Sequence, residues 1–299
     1  MRLKEQTGPR IDRLPPAVLQ GASLRAGVLR LDAVHPEVSG NKWYKLKEYI
    51  SEARLQQQNT LLTFGGPYSN HIAATAAACR EFGFRCVGLI RGERPPRLSP
   101  TLQRAQEQGM DLVFISRADY AAKNIPAPLL EQYPDACIID EGGYGLPGRR
   151  GAESILDSPG CAAYSHLLAA VGTGTTLAGL VEAAGPQQQV TGISVLKNNT
   201  DLLPAINALL SPHRRDRFTL LHDFHFGGYA KSTPALLEFM NDWYRQTGIP
   251  SDFVYTGKLF YAFQQLCALS YFPPGSNVLV VHSGGLQGNC SLNKGTLLF

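Results

Sequence analysis

Short apolar runs alternate with longer amphipathic segments along this chain. Runs such as Thr60–Phe64, Phe84–Ile90, His166–Val171 and Asn277–His282 show no clean polar-out alternation. A strand that is apolar on both faces is covered on both faces, which points to parallel sheet rather than to hairpins. The pattern predicts a strand at Val28–Asp32, a helix at Lys42–Gln57 and a strand at Thr60–Phe64. An alanine-rich helix at Ser69–Phe82 then leads to a strand at Phe84–Ile90, a helix at Thr101–Gln108 and a strand at Leu112–Ser116. Cys137–Asp140 closes this first series. A second series opens with a strand at His166–Val171 and a helix from Thr175 to about Ala184. It continues through Val190–Leu196 (strand), Asp201–Leu210 (helix) and Phe218–Leu221 (strand). Two long helices, Thr233–Gln246 and Gly257–Leu269, and a last strand, Asn277–His282, complete it.

Alternating strand and helix units of this kind predict an α/β fold with two doubly wound parallel sheets and a cleft between them. The Pro/Gly-rich, poorly periodic stretch Gly142–Gly160 reads as the internal boundary. In such sheets ligands collect beyond the C-terminal ends of the strands, beside helix N-termini.

Composition narrows the picture. The chain has 299 residues, enough for two ordinary domains, with 44% hydrophobic and 17% charged residues. A net charge of +4, from 28 basic and 24 acidic residues, is spread without a run of like charge. That argues against a nucleic-acid arm or a polybasic membrane anchor and fits a small anionic ligand. The polar start, Met1 to Pro16, has no apolar signal region, and no apolar run is long enough for a membrane span. Six cysteines without a CxxC pair read as thiols of a reducing compartment, with neither a disulfide framework nor a zinc site. The expected location is the cytoplasm.

Candidate chemistry lies just after strands. In Ser39-Gly40-Asn41-Lys42-Trp43-Tyr44-Lys45-Leu46, Lys42 and Lys45 share a helix face. A neighbouring cation lowers a lysine pKa, as a nucleophilic amine requires; a solvated basic helix start is the plainer alternative. In Gly65-Gly66-Pro67-Tyr68-Ser69-Asn70-His71, Ser69 or Asn70 would cap a helix. The loop offers more polar groups than a cap needs, and His71 alone reads as a packed helix residue. Gly172-Thr173-Gly174-Thr175-Thr176 opens another helix and fits a single phosphate. It lacks the Lys-Ser/Thr pair of a P-loop and the third glycine of a dinucleotide fingerprint. Gly227-Gly228-Tyr229 and Val254-Tyr255-Thr256-Gly257-Lys258 could present phenols to a cavity, or could be turns with half-buried tyrosines. His282-Ser283-Gly284-Gly285-Leu286 could close the cleft.

From about Gly40 to Gly288, these segments together resemble the pyridoxal-phosphate-dependent family of 1-aminocyclopropane-1-carboxylate deaminase and D-cysteine desulfhydrase, of tryptophan-synthase-β-like fold type. The shared parts come in the family's order: Gly-Asn-Lys-x-x-Lys-Leu, Gly-Gly-x-x-Ser-Asn-His, Gly-Thr-Gly-x-Thr, Gly-Tyr, Tyr-Thr-Gly-Lys and His-x-Gly-Gly. The resemblance implies that Lys42 holds pyridoxal 5'-phosphate as a Schiff base while Lys45 reaches toward its phosphate. It implies that Asn70 bonds the ring hydroxyl and that Ser69 acts beside the substrate carboxylate or reacting carbon. Gly172, Thr173, Gly174, Thr175 and Thr176 would cradle the phosphate, and Tyr229 and Tyr255 would line the substrate pocket. A larger cofactor-binding domain (1–45 and 155–299), a smaller inserted one (46–154) and a homodimer follow from the same resemblance.

The position after Tyr255 separates the family's activities. The deaminases place a glutamate there, suited to a protonated pyridine; Thr256 suits a neutral ring. This favours β-elimination from a small amino acid, D-cysteine or a relative, to pyruvate, ammonia and sulfide, with Lys42 as the α-proton base. Three alternatives stand beside it: deamination of the cyclopropane amino acid, a cofactor-binding protein without turnover, and a phosphate-binding α/β protein without pyridoxal chemistry. Tyr44 stands where the family commonly has arginine, and the chain is shorter than most members, which bears on substrate choice.

Overall fold

The computed structural model describes Leu3, Lys4 and residues 6–299. Met1, Arg2 and Glu5, which belong to the expected larger domain, lie outside the described residues. Among the described residues, ten strands and ten α-helices follow one another in the expected βα rhythm: β1 (Ile11–Arg13), β2 (Arg25–Arg30), α1 (Asn41–Leu55), β3 (Thr60–Gly65), α2 (Asn70–Phe82), β4 (Arg85–Arg91), α3 (Pro100–Glu107) and β5 (Met110–Ile115). Then come α4 (Arg117–Ala122), α5 (Ala127–Gln132), β6 (Cys137–Ile139), α6 (Leu146–Glu153), β7 (His166–Val171), α7 (Thr175–Ala183) and β8 (Gln189–Ser194). The last are α8 (Leu202–Leu209), β9 (Phe218–Leu221), α9 (Pro234–Thr247), α10 (Thr256–Ala268) and β10 (Asn277–His282).

The strands form two sheets, in the orders β1-β2-β10-β7-β8-β9 and β5-β4-β3-β6. Every pairing is parallel except that of β1 with β2. The parallel expectation rested on doubly apolar runs, and β3 and β7 are buried at every position. The antiparallel β1 is too short and polar to announce itself. It is pinned by Arg30, which reaches Asp12 at 2.7 Å and Asp32 at 2.7 Å.

Each sheet has one place where the strand order reverses. In the smaller sheet the chain runs outward from β3 to β4 and β5, then returns to the other side of β3 with β6. In the larger sheet it runs outward from β7 to β8 and β9, then returns beside β7 with β10. Loops diverge at such a switch point and leave a crevice at the strand C-termini. The two crevices face a common cavity, as its lining residues show below.

The stretch Gly142–Gly160 is not the irregular linker that its composition suggests, because α6 lies within it. Its glycines hide the helical pattern and serve its packing. A methyl group at Gly151 would overlap the carbonyl oxygen of Tyr44 in α1, and one at Gly148 would overlap that of Gly143. On the opposite side, Gly179 of α7 meets Ala152. α6 is thus wedged between the helices that begin beside the cavity.

Gly151→Ala should therefore lower the stability by about 2 kcal/mol or more, because a tightly packed backbone contact cannot take a methyl group. Gly185→Ala, where the added methyl makes only ordinary contacts, should stay within about 0.5 kcal/mol. Urea midpoints of the two variants test this. Equal midpoints would contradict the packing of α6.

Candidate active site

One cavity of about 390 Å³ lies where the two crevices meet. Ser69, Asn70 and His71 (after β3), Arg91 (ending β4), and Glu141 and Gly142 (after β6) reach it from the smaller sheet. The larger sheet supplies Ala170–Gly174, Thr176 and Leu177 (around β7 and α7) and Leu196 and Asn199 (after β8). It also supplies Tyr229, Tyr255 and Ser283–Gly285. Asn41, Lys42 and Lys45 of α1 complete the wall.

The start of α1 is fixed by backbone contact. Gly40 has φ of 71°, and any side chain there would overlap the carbonyl of Ser283. The same carbonyl accepts the Asn41 N–H at 3.1 Å. Asn41 is buried; its Nδ2 donates to Thr176 Oγ1 at 2.7 Å, and its Oδ1 accepts from Lys42 Nζ at 2.8 Å. Three turns, opening α1, opening α7 and following β10, are therefore tied together next to the Lys42 amine.

Burial lowers the pKa of Lys42 to about 8, while the negative charge of Asp252 opposes the shift. The sequence expectation assigned this depression to Lys45; desolvation is the cause instead. The repulsion between the two lysines falls on Lys45, whose pKa is held well below its ordinary value by burial and then by Lys42. Lys45 Nζ donates to the Gly142 carbonyl at 3.0 Å, so it lies under the loop after β6.

Ser69 is the N-cap of α2, its Oγ accepting the Ile72 N–H at 3.3 Å. Its hydroxyl proton stays available to the cavity. Asn70 donates through Nδ2 to the Gly285 carbonyl at 3.3 Å, but its buried Oδ1 has no partner. A buried acceptor without a donor is costly, so Asn70 is suited to a ligand hydroxyl. Gly172, Thr173, Gly174 and Thr176 line the cavity; Thr175 does not, and its hydroxyl sits 3.2 Å from that of Thr173. Gly174, at φ of 87°, starts α7, whose first N–H groups have no intrahelical acceptors and so form an anion site.

Tyr255 and Tyr229 stand edge to face, ring centres 6.1 Å apart. Burial keeps the Tyr255 phenol protonated well above its usual range. Thr256 lies behind this pair and is not part of the cavity lining. Its hydroxyl donates to Asp252 Oδ1 at 2.7 Å and accepts the Asp252 N–H at 2.8 Å. Asp252, wholly buried, also takes the N–H groups of Val254, Tyr255 and Thr256.

Sequence reasoning left His71 outside the site, yet it lines the cavity. Its tautomer follows from its neighbours. The single hydroxyl proton of Thr63 goes to the Ile139 carbonyl at 2.8 Å, so His71 Nε2 must donate to Thr63 Oγ1 at 2.8 Å. Nδ1 is then a bare acceptor without a partner, and burial with Lys42 and Lys45 nearby keeps the ring neutral. Arg91, Glu141, Asn41 and Asp252 were also missed. Arg91 and Glu141 end or follow strands, a signal that could have found them; nothing in the sequence marks Asp252 as the carboxylate behind Thr256.

The residues present fit a pyridoxal phosphate. A nucleophilic amine, an anion-binding helix start and an unpaired Asn70 acceptor face the same cavity, as an aldehyde, a phosphate and a ring hydroxyl require.

Comparison with known proteins gives the same reading. Residues 22–284 match the profile of the family described as pyridoxal-phosphate dependent enzyme. The chain is 27% identical over 281 residues to D-cysteine desulfhydrase of Klebsiella pneumoniae, covering 86% of each chain. It is 25% identical over 282 residues to 1-aminocyclopropane-1-carboxylate deaminase of Rhizobium radiobacter, covering 83% of this chain and 82% of the relative. A crystal structure of an ACC deaminase homologue has the same fold, with a TM-score of 0.83 at 23% identity over 96% of this chain and 93% of the other.

In the cofactor-free protein, acylation of Lys42 should rise with pH through a midpoint near 8, because only the neutral amine reacts. Peptide mapping across a pH series measures this. A midpoint near the ordinary lysine value of 10.5 would show that Lys42 is solvated.

Proposed function

The chain belongs to the pyridoxal-phosphate dependent enzymes, and on that premise we propose that it is a lyase converting D-cysteine and water to pyruvate, ammonia and hydrogen sulfide. The observation that carries this reading is the Lys42 amine, titrating near 8, in one cavity with the α7 anion site and a protonated phenol. When bound, pyridoxal phosphate supplies an electron sink for negative charge at the substrate α-carbon.

In this proposal Lys42 Nζ is the attachment point and then the base that takes the α-proton. A base titrating near 8 is neutral often enough at physiological pH to accept a proton and acidic enough to return it. Gly172, Thr173, Gly174 and Thr176 hold the phosphate through the α7 start, with Thr175 buttressing Thr173 and Lys45 adding charge. Asn70 orients the ring through its unpaired Oδ1. Ser69 turns its free hydroxyl proton to the substrate carboxylate. Tyr255, kept as O–H by burial, donates a hydrogen bond to the departing sulfur, with Tyr229 closing the pocket.

Thr256 supports elimination because it is no carboxylate. One observation favours the second reading, deamination of the cyclopropane amino acid. The Thr256 hydroxyl gives its proton to Asp252, so an ionised carboxylate would stand one hydrogen bond behind the threonine oxygen, and that position is richer in electrons than a lone hydroxyl. D-cysteine remains first because the Asp252 carboxylate reaches that position only through the uncharged Thr256 hydroxyl.

The proposal includes a homodimer, as the family resemblance implies, and a cytoplasmic location, supported by six unpaired cysteines among the described residues. No described helix is long and apolar enough to cross a membrane. It also includes an inserted domain over residues 46–154, supported by the smaller sheet drawing all its strands from that interval.

Cofactor-loaded protein offered D-cysteine, L-cysteine and the cyclopropane amino acid should release sulfide and pyruvate fastest from D-cysteine. Lys42→Ala should reduce that rate by about a thousandfold or more, the usual scale for loss of a positioned base. Faster 2-oxobutyrate release from the cyclopropane substrate would favour the second reading. No keto acid from any of the three would refute both.

A further inference from the structure

Lys258 lies in the first turn of α10 with none of its surface exposed, and no step proposed above uses it. A buried ammonium requires a partner. Its Nζ donates to the carbonyl oxygen of Gly228 at 2.7 Å, and the Asp252 carboxylate acts on it through space. Gly228 belongs to the turn between β9 and α9. There Phe226, Gly227, Gly228 and Ala230 all take positive φ, at 50°, 90°, 115° and 52°. For Phe226 and Ala230 this is an unfavourable backbone that persists only where its surroundings hold it. Besides the Lys231 N–H at 3.2 Å, the Gly228 carbonyl is gripped from the core by Lys258 alone among its recorded partners.

The residue this turn displays is Tyr229. It is 45% exposed, so packing alone does not fix it, yet it lines the cavity and meets Tyr255 edge to face. Tyr255 immediately precedes the helix that carries Lys258. One helix start thus places one phenol directly and reaches across to hold the backbone of the other.

We propose that Lys258 is a positioning residue for substrate recognition, its buried ammonium locking the 226–230 turn so that Tyr229 stands over the cavity beside Tyr255. This rests on Tyr229 belonging to the substrate pocket, as proposed above. Without the ammonium, the turn can relax from its left-handed conformation, and Tyr229 leaves the cavity while the cofactor residues stay in place. The effect is expected on substrate binding, not on cofactor loading.

Lys258→Met keeps the aliphatic stem and removes the charge and the donor. In the cofactor-loaded enzyme it should raise KM for the best substrate by about tenfold or more, with kcat and bound cofactor little changed, the scale of losing a hydrogen bond to a charged group. Tyr229→Ala should raise KM comparably, and the double variant should be no worse than Tyr229→Ala alone, because both act through one phenol. Trypsin should cut the loaded Lys258→Met protein after the exposed Lys231 at least about tenfold faster than the wild type, as a freed turn opens locally. Additive losses in the double variant, or unchanged cleavage after Lys231, would overturn the proposal. The cleavage test needs no turnover, so it stands even if the wild type acts on none of the amino acids tried. Should Lys258→Met fail to fold, Lys258→Gln, which keeps an N–H donor on a shorter stem, takes its place. Faster cleavage after Lys231 with bound cofactor retained then supports the lock, and wild-type cleavage contradicts it.

Discussion

Asn41 is the joint on which the site depends. Its backbone N–H donates to the turn after β10, its side-chain Nδ2 donates to the turn that opens α7, and its side-chain Oδ1 accepts from the next residue's amine. Gly40 makes this possible, since no other residue fits against the Ser283 carbonyl at that backbone angle. The result is a lysine fixed at the meeting point of two sheets. Its desolvation is a consequence of that placement.

The electrostatics follow from the same geometry. Two lysines and a helix start bring positive potential into a confined space, His71 is held neutral beside them, and Asp252 is the buried carboxylate that acts on Lys42. A dianionic phosphate at the α7 start would relieve the crowding of Lys42 against Lys45, so the site is arranged to hold an anion before any substrate arrives. The arrangement also separates tasks. The groups proposed to grip a phosphate and ring lie around α1, α2 and α7, whereas the proposed substrate-side pair is Tyr255, just before α10, and Tyr229, in the turn that Lys258 of α10 holds.

Much of this was legible in the chain. Doubly apolar runs gave away the parallel strands, and β7, β9 and β10 begin and end at the expected residues. The polar turns after those runs marked the cavity because topology forces ligand sites to strand C-termini. What stayed hidden has physical reasons. α6 looks like a linker because glycines that a helix normally avoids are needed for close approach to α1. β1 is three residues long and relies on Arg30 rather than on pattern. Asp252 and Lys258 act across the fold, through Thr256 and Gly228, and no local spacing reveals such partners. The depressed Lys42 pKa was anticipated, but from a neighbouring charge, whereas burial produces it. Burial depth is a property of the assembled sheets and cannot be read from residues three apart.

The central claim is that Lys42, among three buried or cavity-lining lysines of this region, is the one that carries the cofactor. Reductive trapping of pyridoxal phosphate on the loaded protein with borohydride, followed by peptide mapping, tests it most directly. A stable pyridoxyl label on Lys42 alone is expected. A label on Lys45 or Lys258, or no site-specific label, would contradict it.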